Sequence, residues 1–239
     1  MWAMNDPHPI LGGATRRGPL SAIDTWLFDL DNTLYSSASD VFPQIHRNML
    51  SFIVQLLGVS EDEAKLHRSR MYRQYGTTMR GMMVEHGVDP HAFMDHVHAI
   101  DLGCIDPAPQ LGAAIARLPG RKIIFTNGSR HHATNVLNRL GIAGHFDAVF
   151  DVEDCDWLPK PDATGYTAIV ARHGIAPERA AMIDDIPHNL APASALGMTT
   201  VWVREGTDIR WKDQPPEHDH IDHVTGDLLG WLEAVPVSK

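Results

Sequence analysis

The chain has 239 residues, 44% of them hydrophobic and 21% charged, enough for one sizeable core and a smaller module. A formal net charge of -10 argues against a nucleic-acid polymer or an anionic membrane as main partner, because both are bound through dense Lys/Arg patches. A small anion fits, since a local site can be positive on an acidic protein, and two cysteines without a CxxC pair suit a reducing cytoplasm.

Residues 1–20, rich in Pro and Gly and carrying Arg16-Arg17, read as a mobile tail. They do not read as an export signal, because the apolar segment behind them is a core strand. That strand is Trp26, Leu27 and Phe28, and it runs straight into Asp29-Leu30-Asp31-Asn32-Thr33. Alternation along an extended backbone places Asp29 and Asp31 on one side, just past the strand's carboxyl end. Two carboxylates in one small space imply a metal, unequal protonation, or both. The same residues also suit an acidic turn, with Asp31 and Asn32 bending the chain.

From Asp40 to about Asp106 the period is helical. Val41, Ile45, Met49, Ile53 and Leu56 trace one helix closed by Gly58, and Ser60 with Glu63 forms a capping box for a second. A third helix runs over Thr78 to Glu85, and Asp89-Pro90 opens a fourth. Beyond it helices and strands alternate: helix Leu111–Leu118, strand Lys122–Thr126, helix Ser129–Leu140, strand Ala148–Phe150 and helix Asp162–His173. Strand Ala181–Asp184, helix Pro187–Leu196 and strand Thr199–Val203 follow, the last being the final clear strand. The predicted fold is therefore α/β, a doubly wound parallel sheet with an all-helical cap inserted after the first strand. Residues 21–38 and 107–239 form its core and residues 39–106 its cap. The 15 histidines, including His96-x-His98, His131-His132 and the run from Glu217 to His223, lack zinc-ligand spacing and read as solvated surface residues.

In such sheets ligands sit at the carboxyl ends of the strands. The first strand delivers Asp29 and Asp31 there, and the second delivers Thr126, Asn127 and Gly128. The loop after the third delivers Lys160, and the fourth strand Asp184 and Asp185. Acids, a hydroxyl, a helix-start loop and one lysine thus converge.

These four segments, in this order and spacing, resemble the haloacid dehalogenase-like hydrolase superfamily from about Ile23 to Val203. FDLDNTLY, the cap segment YGTTMRGMM, FTNGSRHHA and MIDDIPHNL look most like the pyrimidine 5′-nucleotidase family. The resemblance implies that Asp29 attacks phosphorus to form an aspartyl-phosphate that water hydrolyses, with Asp31 as proton donor and then acceptor. It implies Mg²⁺ on Asp29, the Asp31 carbonyl and Asp184, with Asp185 nearby. Thr126 and the N–H groups of Asn127 and Gly128 would hold phosphate oxygens, and Lys160 would keep Asp29 ionised. Arg80, in the methionine-rich cap helix, is expected at the leaving group or the phosphate. UMP or CMP is the implied substrate, with pyridoxal phosphate, sugar phosphates or another small phosphorylated metabolite open. A phosphomutase, a dehalogenase and a non-catalytic module are the rivals. Oligomeric state is open.

Overall fold

The computed structural model of the protein describes residues 17–205 and 218–237. Its centre is a parallel sheet of six strands among the described residues: β1 (Thr25–Phe28), β2 (Arg121–Phe125), β3 (Ala148–Phe150), β4 (Ala180–Asp184), β5 (Thr199–Val203) and β6 (His223–Thr225). The strand order is β3-β2-β1-β4-β5-β6. The chain winds outward from β1 through β2 to β3, then returns to the other side of β1 as β4. The switch between β1 and β4 opens a crevice beyond their carboxyl ends, where doubly wound sheets bind ligands.

Helices cover both faces, which is why β1 is an unbroken apolar run. Trp26 and Phe28 join a cluster with Leu111 and Ile115 of α5 (Pro109–Arg117), Val136 and Leu140 of α6 (Arg130–Leu140), and Trp231 of α9 (Leu228–Ala234). Leu27 points the other way, into a cluster with Tyr166 and Ile169 of α7 (Ala163–His173) and Leu190 of α8 (Pro187–Leu196). Each such side chain contributes about 1.5–3 kcal/mol by leaving water.

Between β1 and α5 lies the helical cap: α1 (Val41–Leu57), α2 (Glu61–Tyr75), α3 (Thr78–His86) and α4 (Pro90–Val97). Its ends follow the sequence signals. Both arms of the Ser60/Glu63 capping box form, Thr77 caps α3, and Asp89 caps α4 with Pro90 at its first position. Gly81 serves packing inside the cap. A Cβ there would lie 2.6 Å from Met71 Cβ, so the glycine lets α3 pack on α2 within the cap.

The sheet extends past the last strand predicted from sequence. β6 adds an edge and α9 packs behind it, with the His223 ring 5.7 Å from that of Trp231. The histidine-rich run is therefore not a solvated loop: His223 is buried, and His220 Nε2 donates to the Pro187 carbonyl at 2.9 Å. Of the expected mobile tail, residues 1–16 lie outside the described residues. Arg17 donates to the Ser194 carbonyl at 2.7 Å and pairs with Asp222 at 3.2 Å. Among the described residues no helix is long and apolar enough to cross a membrane.

Candidate active site

The Asp29 N–H donates to the Ile183 carbonyl at 2.8 Å, carrying the β1–β4 ladder one residue past the strand. The chain then turns. The N–H groups of Thr33 and Leu34 return to the Leu30 carbonyl, and Asn32 takes φ 62°, a left-handed conformation that asparagine tolerates. The strand-end acid pair and the acidic turn are thus one structure. The turn brings the Thr33 hydroxyl to Asp29 Oδ2 at 3.0 Å and Tyr35 Oη to Asp31 Oδ1 at 2.6 Å.

Lys160 sits at the charge centre. Its Nζ donates to Asp29 Oδ1 at 2.8 Å, Asp184 Oδ2 at 2.7 Å and the Phe125 carbonyl at 2.8 Å. Burial opposes its charge, but Asp184 and Asp29 raise its pKa. Asn127 holds the lysine loop rather than presenting itself openly: its Oδ1 accepts from Lys160 N at 2.7 Å and its Nδ2 donates to the Lys160 carbonyl at 3.2 Å. The Gly128 N–H, expected on a phosphate oxygen, donates to Thr126 Oγ1 at 2.9 Å. The Asn189 amide spans both oxygens of Asp184, at 3.1 and 3.2 Å.

Asp29, Asp184 and Asp185 are buried, with carboxylate oxygens within 4.8 Å of one another. Burial pushes Asp29 up to about 7; Lys160 works against this, while Asp184 and Asp31 add to it. Asp29 and Asp184 share one lysine, and with Asp185 beside them they make an all-oxygen donor set of the kind that suits Mg²⁺.

Asp31 stands apart from that cluster. Its Oδ1 also lies 2.8 Å from His132 Nε2. Burial raises the Asp31 carboxyl, but the His132 charge and the hydrogen bonds from His132 and Tyr35 outweigh it and hold the group at about 2. Burial lowers His132, and Asp31 more than compensates, so its pKa is raised. The His132 ring is 1% exposed and stacks on His98, with centroids 4.2 Å apart and planes 10° apart. These histidines are interior groups, contrary to their reading as solvated.

A cavity of about 750 Å³ opens above the site. Asp29, Asp31, Thr126, Asn127, Gly128, Lys160 and Asp185 line its floor; Phe42, Met49, Met79 and Phe93 of the cap supply apolar wall. Arg80 is not among the lining residues, and its charge instead helps keep Asp162 low, behind the hydrogen bonds from Thr164. The cap arginines at the cavity are Arg68 and Arg73 of α2. Tyr35, His98, His132 and Thr33 were not identified from sequence. Thr33 and Tyr35 each lie four residues beyond the acid they touch, a spacing that could have flagged them. His132 is 101 residues from Asp31, and nothing local marks it.

The chain is 26% identical over 198 residues to phosphate metabolism protein 8 of Saccharomyces cerevisiae, covering 75% of this chain and 61% of that protein. It is 27% identical over 214 residues to a phosphoglycolate phosphatase of Mesorhizobium japonicum, covering 84% and 93%. It is also 25% identical over 224 residues to a glyceraldehyde 3-phosphate phosphatase of Methanocaldococcus jannaschii, covering 87% and 95%. In fold it is similar to L-2-haloacid dehalogenase from Xanthobacter autotrophicus (TM-score 0.55, 18% identity, 88% and 97% covered) and a phosphatase from Thermococcus onnurineus (TM-score 0.57, 18% identity, 85% and 94% covered). The haloacid dehalogenase-like hydrolase model matches residues 23–197, most of the chain, and with the sheet and strand-end groups in place the chain belongs to that family of hydrolases.

Proposed function

We propose that this hydrolase is a Mg²⁺-dependent phosphomonoesterase working through an aspartyl-phosphate. The observation that carries the reading is the separation of two acids two residues apart. Asp29 is bound to Lys160 within the three-carboxylate cluster, while Asp31 is outside that cluster and held by Tyr35 and His132. These different surroundings support reading Asp29 as the nucleophile and Asp31 as the proton carrier.

Asp29 forms a bond to phosphorus while the bond to the leaving oxygen breaks, and that oxygen takes a proton from Asp31. A water then attacks the phosphoryl group, gives its proton to Asp31 and releases Asp29. In the free site Asp31 is ionised, and a phosphate placed beside it disfavours that charge and promotes proton uptake. Mg²⁺ on Asp29, Asp184 and Asp185, with the Asp31 carbonyl, would offset phosphate charge. The Thr126 hydroxyl holds a phosphate oxygen, the Lys160 charge offsets that of the phosphate, and the cap keeps bulk solvent from the site. A halide leaves without a proton, so Asp31 favours an oxygen leaving group over dehalogenation.

Within this class a pyrimidine 5′-nucleotidase is our finer reading. The cavity is of ordinary small-ligand size, its apolar wall suits a flat base, and Arg68 and Arg73 can donate to base carbonyls. Those arginines have no hydrogen-bond or ion-pair partner among the described residues, and this also favours leaving groups that carry a carboxylate, such as phosphoglycolate. The test is phosphate release from UMP, CMP, phosphoglycolate, glyceraldehyde 3-phosphate, pyridoxal phosphate and sugar phosphates, with Mg²⁺ and with excess chelator. Release that requires Mg²⁺ and favours UMP or CMP is expected, and full activity in chelator would refute the metal.

A further inference from the structure

The two oxygens of Asp31 stand in different surroundings. Oδ1 accepts from Tyr35 Oη at 2.6 Å and from His132 Nε2 at 2.8 Å. Oδ2 accepts no hydrogen bond among the described residues. It lies 3.6 Å from where a Cβ on Gly128 would stand, a point also 3.3 Å from Thr126 Oγ1, and so toward the residues assigned to the phosphate under the proposed function. A side chain at 128 would crowd that working space.

His132 is itself held in place. Its backbone N–H donates to Ser129 Oγ at 3.3 Å, which caps α6, and its ring stacks at 4.2 Å on His98. His98 follows α4 in the cap, lines the cavity, and has its Nδ1 3.1 Å from the same Ser129 hydroxyl. A cap residue therefore holds the imidazole that holds Asp31.

We propose that His132, braced by His98, is a positioning residue that ties down Oδ1 of Asp31 and so leaves Oδ2 as the oxygen that exchanges protons with the leaving group and the water. Resting on the phosphomonoesterase reading, this gives the cap a part in the acid step, because the bracing ring arrives only when cap and core are packed together. If His132 merely filled space, its loss would affect all substrates alike. If it acts through Asp31, its loss lowers kcat/KM, which covers the steps up to leaving-group departure, only where the leaving oxygen needs a proton, while the later water step slows for every substrate.

The experiment compares kcat and KM for the best alkyl phosphate of the panel with those for p-nitrophenyl phosphate, whose leaving group departs without a proton. Wild type, Asp31→Asn, His132→Leu, His132→Gln, His98→Ala and Tyr35→Phe are measured, each checked for folding by thermal melting. His132→Leu should lower kcat/KM for the alkyl phosphate roughly ten- to a hundredfold, a part of what general acid–base catalysis contributes. The aryl phosphate should lose less than about threefold in kcat/KM, because its departure uses no general acid, while any loss in kcat from the water step is shared by both substrates. His132→Gln, whose amide nitrogen can stand near the Nε2 position, should recover most of the loss. His98→Ala and Tyr35→Phe should show the same substrate preference more weakly.

Equal losses of kcat/KM on both substrates in a folded His132→Leu protein, or no loss on either, overturn the proposal. Should that variant not fold, Tyr35→Phe, which removes only one hydroxyl, decides in the same way. Failure of the broader reading looks different: wild type would release phosphate from neither substrate, or Asp31→Asn would itself fail to discriminate, and the role of His132 would fall with it.

Discussion

Asp29 must be ionised to attack, yet burial pushes its pKa up to about 7 and Lys160 is the protein group that opposes this. The lysine also neutralises Asp184, so one ammonium serves two buried acids. Removing one partner of a buried pair leaves uncompensated charge, which costs about 3–5 kcal/mol. Lys160→Met should therefore lose turnover and lower stability by that order, read from the urea midpoint at constant slope. Asp29→Asn contrasts with it. The carboxamide is nearly isosteric and relieves repulsion with Asp184, so turnover should vanish while the melting temperature stays near that of wild type. Normal turnover in Asp29→Asn would place the nucleophile elsewhere.

Helix α2 is polar, and its contribution to the cavity follows from its spacing. Arg68, Ser69, Tyr72 and Arg73 recur at helical intervals and line the cavity together, whereas Arg70, on another face, pairs with Glu85 of α3 through two bonds of 2.5 Å. We therefore assign leaving-group contact to Arg68 in preference to Arg80. Arg68→Ala should raise KM for the preferred substrate with little change in kcat. The loss should be about 1.5–3 kcal/mol, as for a hydrogen bond to a charged group. Steady-state kinetics would show this, and a larger KM effect in Arg80→Ala would return the contact to α3. The edge strand β6 teaches the same lesson from the other end of the chain. Its three residues are too short for a period, and a histidine in a polar run reads as loop until Trp231 of α9 packs against it.

Several histidines fold in the neutral form, and this sets how the whole molecule responds to acid. Burial, then the His132 charge, pulls His98 down to about 3; burial also lowers His173 and His223. In the unfolded chain each returns to about 6.5. The folded state therefore binds fewer protons, so this contribution is full above about pH 6.5 and is lost as pH falls toward the folded values. His132 runs oppositely: its pKa is raised, and its contribution fades as pH rises through the folded value. Asp29, raised by burial to about 7, likewise favours the fold as pH falls, so Asp29 and His132 oppose the three lowered histidines between about pH 7 and pH 5. His223 has no hydrogen-bond partner for either ring nitrogen among the described residues, so His223→Leu should raise the melting temperature at pH 5 relative to that at pH 7 when each is compared with wild type. An unchanged slope would remove His223 from the acid response.

The sequence by itself determined what depends on near neighbours or on strand-end position. The apolar run Trp26–Phe28 needs two covered faces, the Ser60/Glu63 and Asp89-Pro90 signals start helices locally, and the strand ends place Asp29, Lys160 and Asp184 together because a parallel sheet aligns its carboxyl ends. Tertiary structure alone decided which polar groups meet across long separations. His132 reaches Asp31 only because α6 packs against β1, and His98 reaches His132 only because the cap folds back onto the core. Arg68 lines the cavity and Arg80 does not, while Gly81 packs α3 on α2, and how one helix seats on another has no signature in local spacing. Hydrogen bonds and burial at such meetings fix the orientation of the acid, and a linear pattern carries no record of them.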